Sequence, residues 1–143
     1  MIGAAPSTRR RQVMIDRRGR SGLHYAALEN DIAAIQRHIA AGEDPNGADT
    51  QGFAPLHFAA QQHAVEAAHA LLDAGADVDA KNKYGNTPLF VAIVSFRGQG
   101  QMVTLLRDRG ADPNARNASG QTPLGLARLI ANYPVARLFE DLD

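Results

Sequence analysis

The hydrophobic positions fall into short bursts separated by turn-forming residues. Ile32, Ile35 and Ile39 recur at helical spacing, as do Val65, Ala68, Leu71 and Leu72, and then Met102, Leu105 and Leu106. Each burst predicts a short amphipathic helix. Ahead of the first two lie alanine-rich segments around Ala26-Ala27 and Ala59-Ala60, whose small side chains let neighbouring helices approach closely. Thr87-Pro88-Leu89 and Thr122-Pro123-Leu124 read as helix starts. There a hydroxyl accepts from an orphan N–H, and proline at the first helical position gives up no bond. Gly42, Gly75 and Gly110 read as left-handed helix ends. Asp44-Pro45-Asn46 and Asp112-Pro113-Asn114 then turn the chain outward.

The pattern repeats. Gly19, Gly52 and Gly85 are 33 residues apart, and so are Leu23, Leu56 and Leu89. Gly110 and Gly120 fall 35 residues after Gly75 and Gly85, so the third unit carries two extra residues, placed between Ser95 and Gln101. Each unit opens on Asp or Asn (Asp16, Asp49, Asn82, Asn117), with a glycine three residues later for a tight turn. A fixed period of this length signals a stacked array. The predicted organisation is a basic arm, 1–15, and one repeat domain, 16–143, with units of about 16–48, 49–81, 82–116 and 117–143. The last unit, with Pro134 opening its second helix, reads as the capping unit that linear arrays need for solubility.

Several segments resemble ankyrin repeats: Ala54-Pro55-Leu56-His57-Phe58-Ala59-Ala60, Leu71-Leu72-Asp73-Ala74-Gly75-Ala76-Asp77, Gly85-Asn86-Thr87-Pro88-Leu89 and Gly110-Ala111-Asp112-Pro113-Asn114. The resemblance covers about residues 16–143. It implies an all-α solenoid of four helix-turn-helix units with protruding β-turn fingers. It also implies that His24 and His57, 33 residues apart, bond the backbone between neighbouring units. Some positions depart from the pattern. Ser21-Gly22-Leu23-His24 lacks the proline, Ala54 stands where a capping hydroxyl belongs, and Phe90 and Gly125 replace the motif histidine. Tyr84-Gly85-Asn86-Thr87-Pro88-Leu89-Phe90 and Ile130-Ala131-Asn132-Tyr133-Pro134 resemble small stand-alone bacterial members of the family, some of which are immunity proteins. The implied role is a non-enzymatic binding module that occludes a partner toxin or enzyme.

Composition narrows the chemistry. The 143 residues include no cysteine, which excludes disulfides, Cys-ligated zinc and thiol nucleophiles. There is no Trp and aromatics are 6%, too few for a base-stacking platform. The longest apolar run, Leu89 to Val94, is six residues, against about 20 for a membrane span. Residues 1–20 hold no apolar block behind a positive charge, so a cytoplasmic protein without a secretory leader is expected. The net charge is zero, yet residues 1–20 carry six arginines against Asp16 and the rest of the chain is −5. Two expectations follow. An acidic body would complement a basic groove on a partner. Alternatively, the arm from Arg9 to Arg20 would let a regulatory adaptor touch nucleic acid or the ribosome with salt-sensitive affinity.

No catalytic constellation emerges. His63 and His69 are six apart and do not share a helical face. Ser7, Ser21, Ser95 and Ser119 sit in no nucleophile elbow. Asp77-Val78-Asp79 starts like a calcium loop, but its twelfth position is Pro88. No metal, cofactor or catalytic residue is expected. The expected partner is another protein, such as a cognate toxin, and the free protein is expected to be a monomer.

Binding positions follow from the resemblance, which implies that the fingers and the exposed side of each first helix make contact. These are Arg17, Arg18, Arg20, Leu28 and Glu29; Thr50, Gln51, Phe53, Gln61 and Gln62; Lys83, Tyr84, Asn86, Val94 and Ser95; and Ala118, Ser119 and Gln121. The lengthened loop adds Phe96 and Arg97. Phe53 and Tyr84 are aromatics in turns that require none. Each reads either as a contact anchor or as a ring packed on the neighbouring finger.

Overall fold

The computed structural model of the chain describes residues 14–130 and 134–142. Arg9, Arg10 and Arg11 of the arm, and Ala131-Asn132-Tyr133, lie outside the described residues. Among the described residues seven α-helices follow one another: α1 (Gly22–Leu28), α2 (Ile32–Ala40), α3 (Pro55–Gln61), α4 (Val65–Asp73), α5 (Pro88–Val94), α6 (Gln101–Asp108) and α7 (Pro123–Leu129). A 3-10 helix, Pro134–Leu142, ends the chain. The only β-pairing among the described residues is an isolated bridge between Ile15 and Ser21. Helices α1, α3, α5 and α7 stack as an inner row, and α2, α4 and α6 as an outer row. The fold is the expected all-α solenoid.

Helices of seven to nine residues do not persist alone, because nucleation is costly. Packing holds them. Leu23, Leu56 and Leu89, one in each of the first three layers, are fully buried, and Ala27, Ala59, Ala60 and Ala92 keep the inner row close. The opening Asp or Asn of each layer builds its finger. Its Oδ1 accepts two backbone N–H groups across the turn, at 2.9–3.1 Å: Arg18 and Arg20 on Asp16, Gln51 and Phe53 on Asp49, Tyr84 and Asn86 on Asn82, Ser119 and Gln121 on Asn117. Adjacent fingers are then joined by single backbone bonds. Thr50 N–H donates to Arg18 O (2.7 Å), Lys83 N–H to Gln51 O (2.9 Å) and Ala118 N–H to Tyr84 O (2.9 Å).

Helix ends obey the same economy. At each outer end the N–H of the residue after glycine reaches back five residues, as in Glu43 to His38 O (3.1 Å), Ala76 to Leu71 O (3.0 Å) and Ala111 to Leu106 O (2.9 Å). Inner ends use the same motif without glycine: Asn30 (φ 54°) and His63 (φ 52°) take the left-handed position. In the third layer that position is Phe96, which a left-handed backbone does not suit. Here the chain lengthens, and Gly98 (φ 106°) makes the turn instead.

The helix starts account for the departures noted in the sequence. Thr87 and Thr122 cap as predicted, their Oγ1 accepting from Phe90 N (3.3 Å) and Gly125 N (3.0 Å). Ala54 has no hydroxyl, and the Nδ1 of His57 accepts its N–H at 3.0 Å. At Gly22 a Cβ would lie 2.4 Å from the His38 ring, so the usual proline has no room. The final helix is 3-10 rather than α. Three residues per turn align Val135 with Leu138. Val135 is buried, and Leu138 packs over Gly100 at the start of α6.

Candidate protein-binding surface

The fingers and the inner helices form one continuous side of the solenoid. Two rows of inner-helix positions face it. The first row is Tyr25, Phe58, Val91 and Leu126. The Tyr25 hydroxyl donates to the Asp16 carboxylate of its finger, which with backbone donors holds that group below its ordinary pKa. Phe58 stacks on Phe53, 5.5 Å between centroids and 13° between planes. These contacts put the row in the angle between fingers and helices. The second row, one turn later, is Leu28, Gln61, Val94 and Leu129.

The expected contact residues divide into two groups. Several are bound inside the framework. The Arg20 Nε donates to the Asp49 carboxylate at 3.3 Å, and its guanidinium lies 4.6 Å from the centroid of the Phe58 ring. Phe53, stacked on Phe58, also meets the His57 ring edgewise at 5.5 Å. Asn86 accepts the His57 Nε2 proton at its carbonyl (2.9 Å) and the Asn117 amide at Oδ1 (2.9 Å). The Ser95 hydroxyl donates to Val91 O at 2.8 Å. Phe96 is half-buried, edge-on to His63 at 6.4 Å.

The others face solvent. Arg17, Arg18, Glu29, Thr50, Gln51, Gln61, Gln62, Lys83, Arg97, Ala118, Ser119 and Gln121 are exposed. Tyr84 is 51% exposed, and its only ring partner among the described residues is the Lys83 ammonium, 5.1 Å from the centroid. Leu28 is half-buried, whereas Val94 is 65% exposed. Sequence reasoning passed over Leu129, 75% exposed. It stands 35 residues after Val94, the offset of Gly120 from Gly85, so the period itself marks it.

The histidines hold layers together. In His24, Nδ1 accepts the Ser21 N–H (3.1 Å) and Nε2 donates to Phe53 O of the next finger (2.8 Å). His57 repeats this one layer on. Burial pushes the pKa of both below the ordinary value and keeps them neutral. His63 is also lowered by burial. Among the described residues, no group of three or more His, Asp or Glu could hold a metal ion, and no helix is long and apolar enough to cross a membrane.

Few acidic residues face the finger side, where the expected complement to a basic groove would lie. Most lie on the outer helices and their loops, as do Glu43, Asp44, Asp73, Asp77, Asp108 and Asp112. On the finger side, Asp16 and Asp49 are tied into turns and Glu29 remains. No Asp or Glu occurs between Asn82 and Arg107, or between Pro113 and Phe139. The family model "Ankyrin repeats (3 copies)" matches residues 23–117. No curated protein matches the chain.

Proposed function

From the premise that the chain belongs to the ankyrin repeat family, a scaffold for protein–protein interaction, we propose that it acts without catalysis, as an inhibitor. Its fingers and inner helices cover the active site or substrate groove of a toxin or enzyme, in the manner of an immunity protein. Tyr84 carries this reading. It is a half-exposed aromatic at a fingertip whose ring, among the described residues, meets only a neighbouring lysine. Such a ring offers contact area at small entropic cost. The framework also spends its other conspicuous side chains: His24, His57 and Arg20 hold layers together, and Phe53 stacks within its own layer. The test is capture of a partner from the native cell by the wild-type protein and by the Tyr84→Ala, Gln61→Arg variant. A partner held only by the wild type, and inactive while held, supports inhibition. A partner that stays fully active makes the protein an adaptor, and one held equally by both forms moves the surface elsewhere.

A further inference from the structure

Resting on that binding surface, we propose that its α5–α7 half receives an acidic, aliphatic segment of the partner protein. Val94 and Leu129 close α5 and α7 at equivalent positions and are 65% and 75% exposed. One turn earlier in the same helices lie Val91 and Leu126, half-buried against the core. Because α5 packs on α7, these four side chains form one aliphatic patch. In the first two layers the corresponding positions are Tyr25 and Leu28, then Phe58 and Gln61, with Glu29 and Gln62 exposed beside them. Isolated exposed aliphatic residues are ordinary, whereas a contiguous apolar patch marks an interface.

Charge selects the occupant. Lys83 sits on the finger above the patch and Arg97 in the loop that follows α5; both are exposed. Neither has a carboxylate in ion-pair reach among the described residues. Arg17 and Arg18 continue the same sign along the fingertips. Cations without local counter-charges on either side of an apolar patch complement carboxylates on either side of aliphatic side chains. A nucleic acid fits less well, because the patch offers it neither hydrogen-bond donors nor a stacking platform beyond Tyr84. The chain's own arm, with Arg9, Arg10 and Arg11, has the wrong sign.

The test pans a phage-displayed library of random peptides on the full chain and on the Val94→Glu, Leu129→Glu variant, whose fold is checked by circular dichroism. Enriched peptides should combine Asp or Glu with Leu, Ile or Val. Their affinity should fall about tenfold on that variant and on Lys83→Glu, and poly-dT should not displace them. Neutral or basic peptides that are lost on the Val94→Glu, Leu129→Glu variant would overturn the proposed chemistry and leave the binding surface standing. Peptides that keep their affinity for it but lose it on Tyr84→Ala, Gln61→Arg would overturn the patch alone. Peptides indifferent to every variant, or a library that yields none, would overturn both readings. Displacement by poly-dT would put a nucleic acid in the partner's place.

Discussion

The imidazole of His57 accepts a hydrogen bond from Ala54 N–H on one side and donates one to Asn86 O on the other, which fixes its tautomer and its charge. Protonating Nδ1 would set one N–H against another inside a buried site. The unfolded chain takes up this proton near pH 6.5 and the folded chain only at lower pH, and His24 and His63 behave alike. Stability is therefore complete above about pH 7 and is lost as pH falls through 6.5 toward the folded values. Urea midpoints should drop between about pH 7.5 and pH 5, and the drop should shrink in His57→Gln. A flat profile would contradict neutral, buried histidines. Two other residues share a left-handed backbone but differ in their contacts. The Asn30 side chain crosses to the next layer, where Oδ1 accepts Ala67 N–H (2.9 Å) and Nδ2 donates to Glu66 (2.9 Å). It caps α4, which has no side-chain cap of its own. His63 caps no helix: its Nε2 meets the Ser95 hydroxyl (3.2 Å), and its buried Nδ1 has no hydrogen-bond partner among the described residues. Asn30→Gly should cost about 1 kcal/mol for the lost cap, and His63→Gly should gain about 1 kcal/mol by relieving backbone strain. Chemical denaturation of both variants checks the opposite signs.

Fingers show the same contrast between an element alone and an element in a stack. Gly85 (φ 76°) and Gly120 (φ 79°) occupy equivalent turns. A Cβ on Gly85 would lie 2.8 Å from Ala118 N, the donor that joins the third finger to the fourth, while one on Gly120 meets open space. Gly120→Ala should cost about 1 kcal/mol of strain. Gly85→Ala should cost about 1–3 kcal/mol more, as overpacking does. Equal losses in urea melts would mean that the fingers do not press on one another. Element identity was legible in the sequence because the layers share it: the opening Asp or Asn and the turn glycine recur in all four, the Thr-Pro start in the last two and the buried leucine in the first three. What stayed hidden is contact between layers at positions where the layers differ. Arg20 reaches Asp49, 29 residues away, only because the next finger opens on Asp. The following finger opens on Asn82, and the preceding layer offers it Phe53 where the first layer has Arg20. Phe53 in turn packs on Phe58 of its own layer, whereas Tyr84 stands two positions earlier in its finger, where the second layer has Gln51, and its ring meets only Lys83 among the described residues. No single layer predicts which aromatic is consumed.

Each layer of the whole molecule touches only its neighbours, so stability is a chain of adjacent contacts and the ends are its weak links. The C-terminal end is the weaker by burial: α1 buries Leu23, His24, Ala26 and Ala27, and α7 buries Pro123 and Ala127. Arg107 compensates. Its guanidinium donates to Leu138 O (2.7 Å) and to both Asp141 oxygens (2.7 and 2.8 Å), and it covers the Phe139 ring at 5.1 Å. The pairing raises the Arg107 pKa and lowers that of Asp141, the signature of a bond made by both charged forms. Arg107→Ala should release the 3-10 helix and quicken amide exchange in α7 about tenfold or more, with α1 to α3 unchanged. A uniform change along the array would mean that the layers unfold as one unit. The layers that open first are also those carrying the exposed aliphatic patch of Val94 and Leu129. A ligand that binds only the folded form stabilises it by mass action, so an occupant of that patch should slow exchange in α5 and α7 more than in α1. In Arg107→Ala the same occupant should bind more weakly, because part of its binding energy must first close the frayed end.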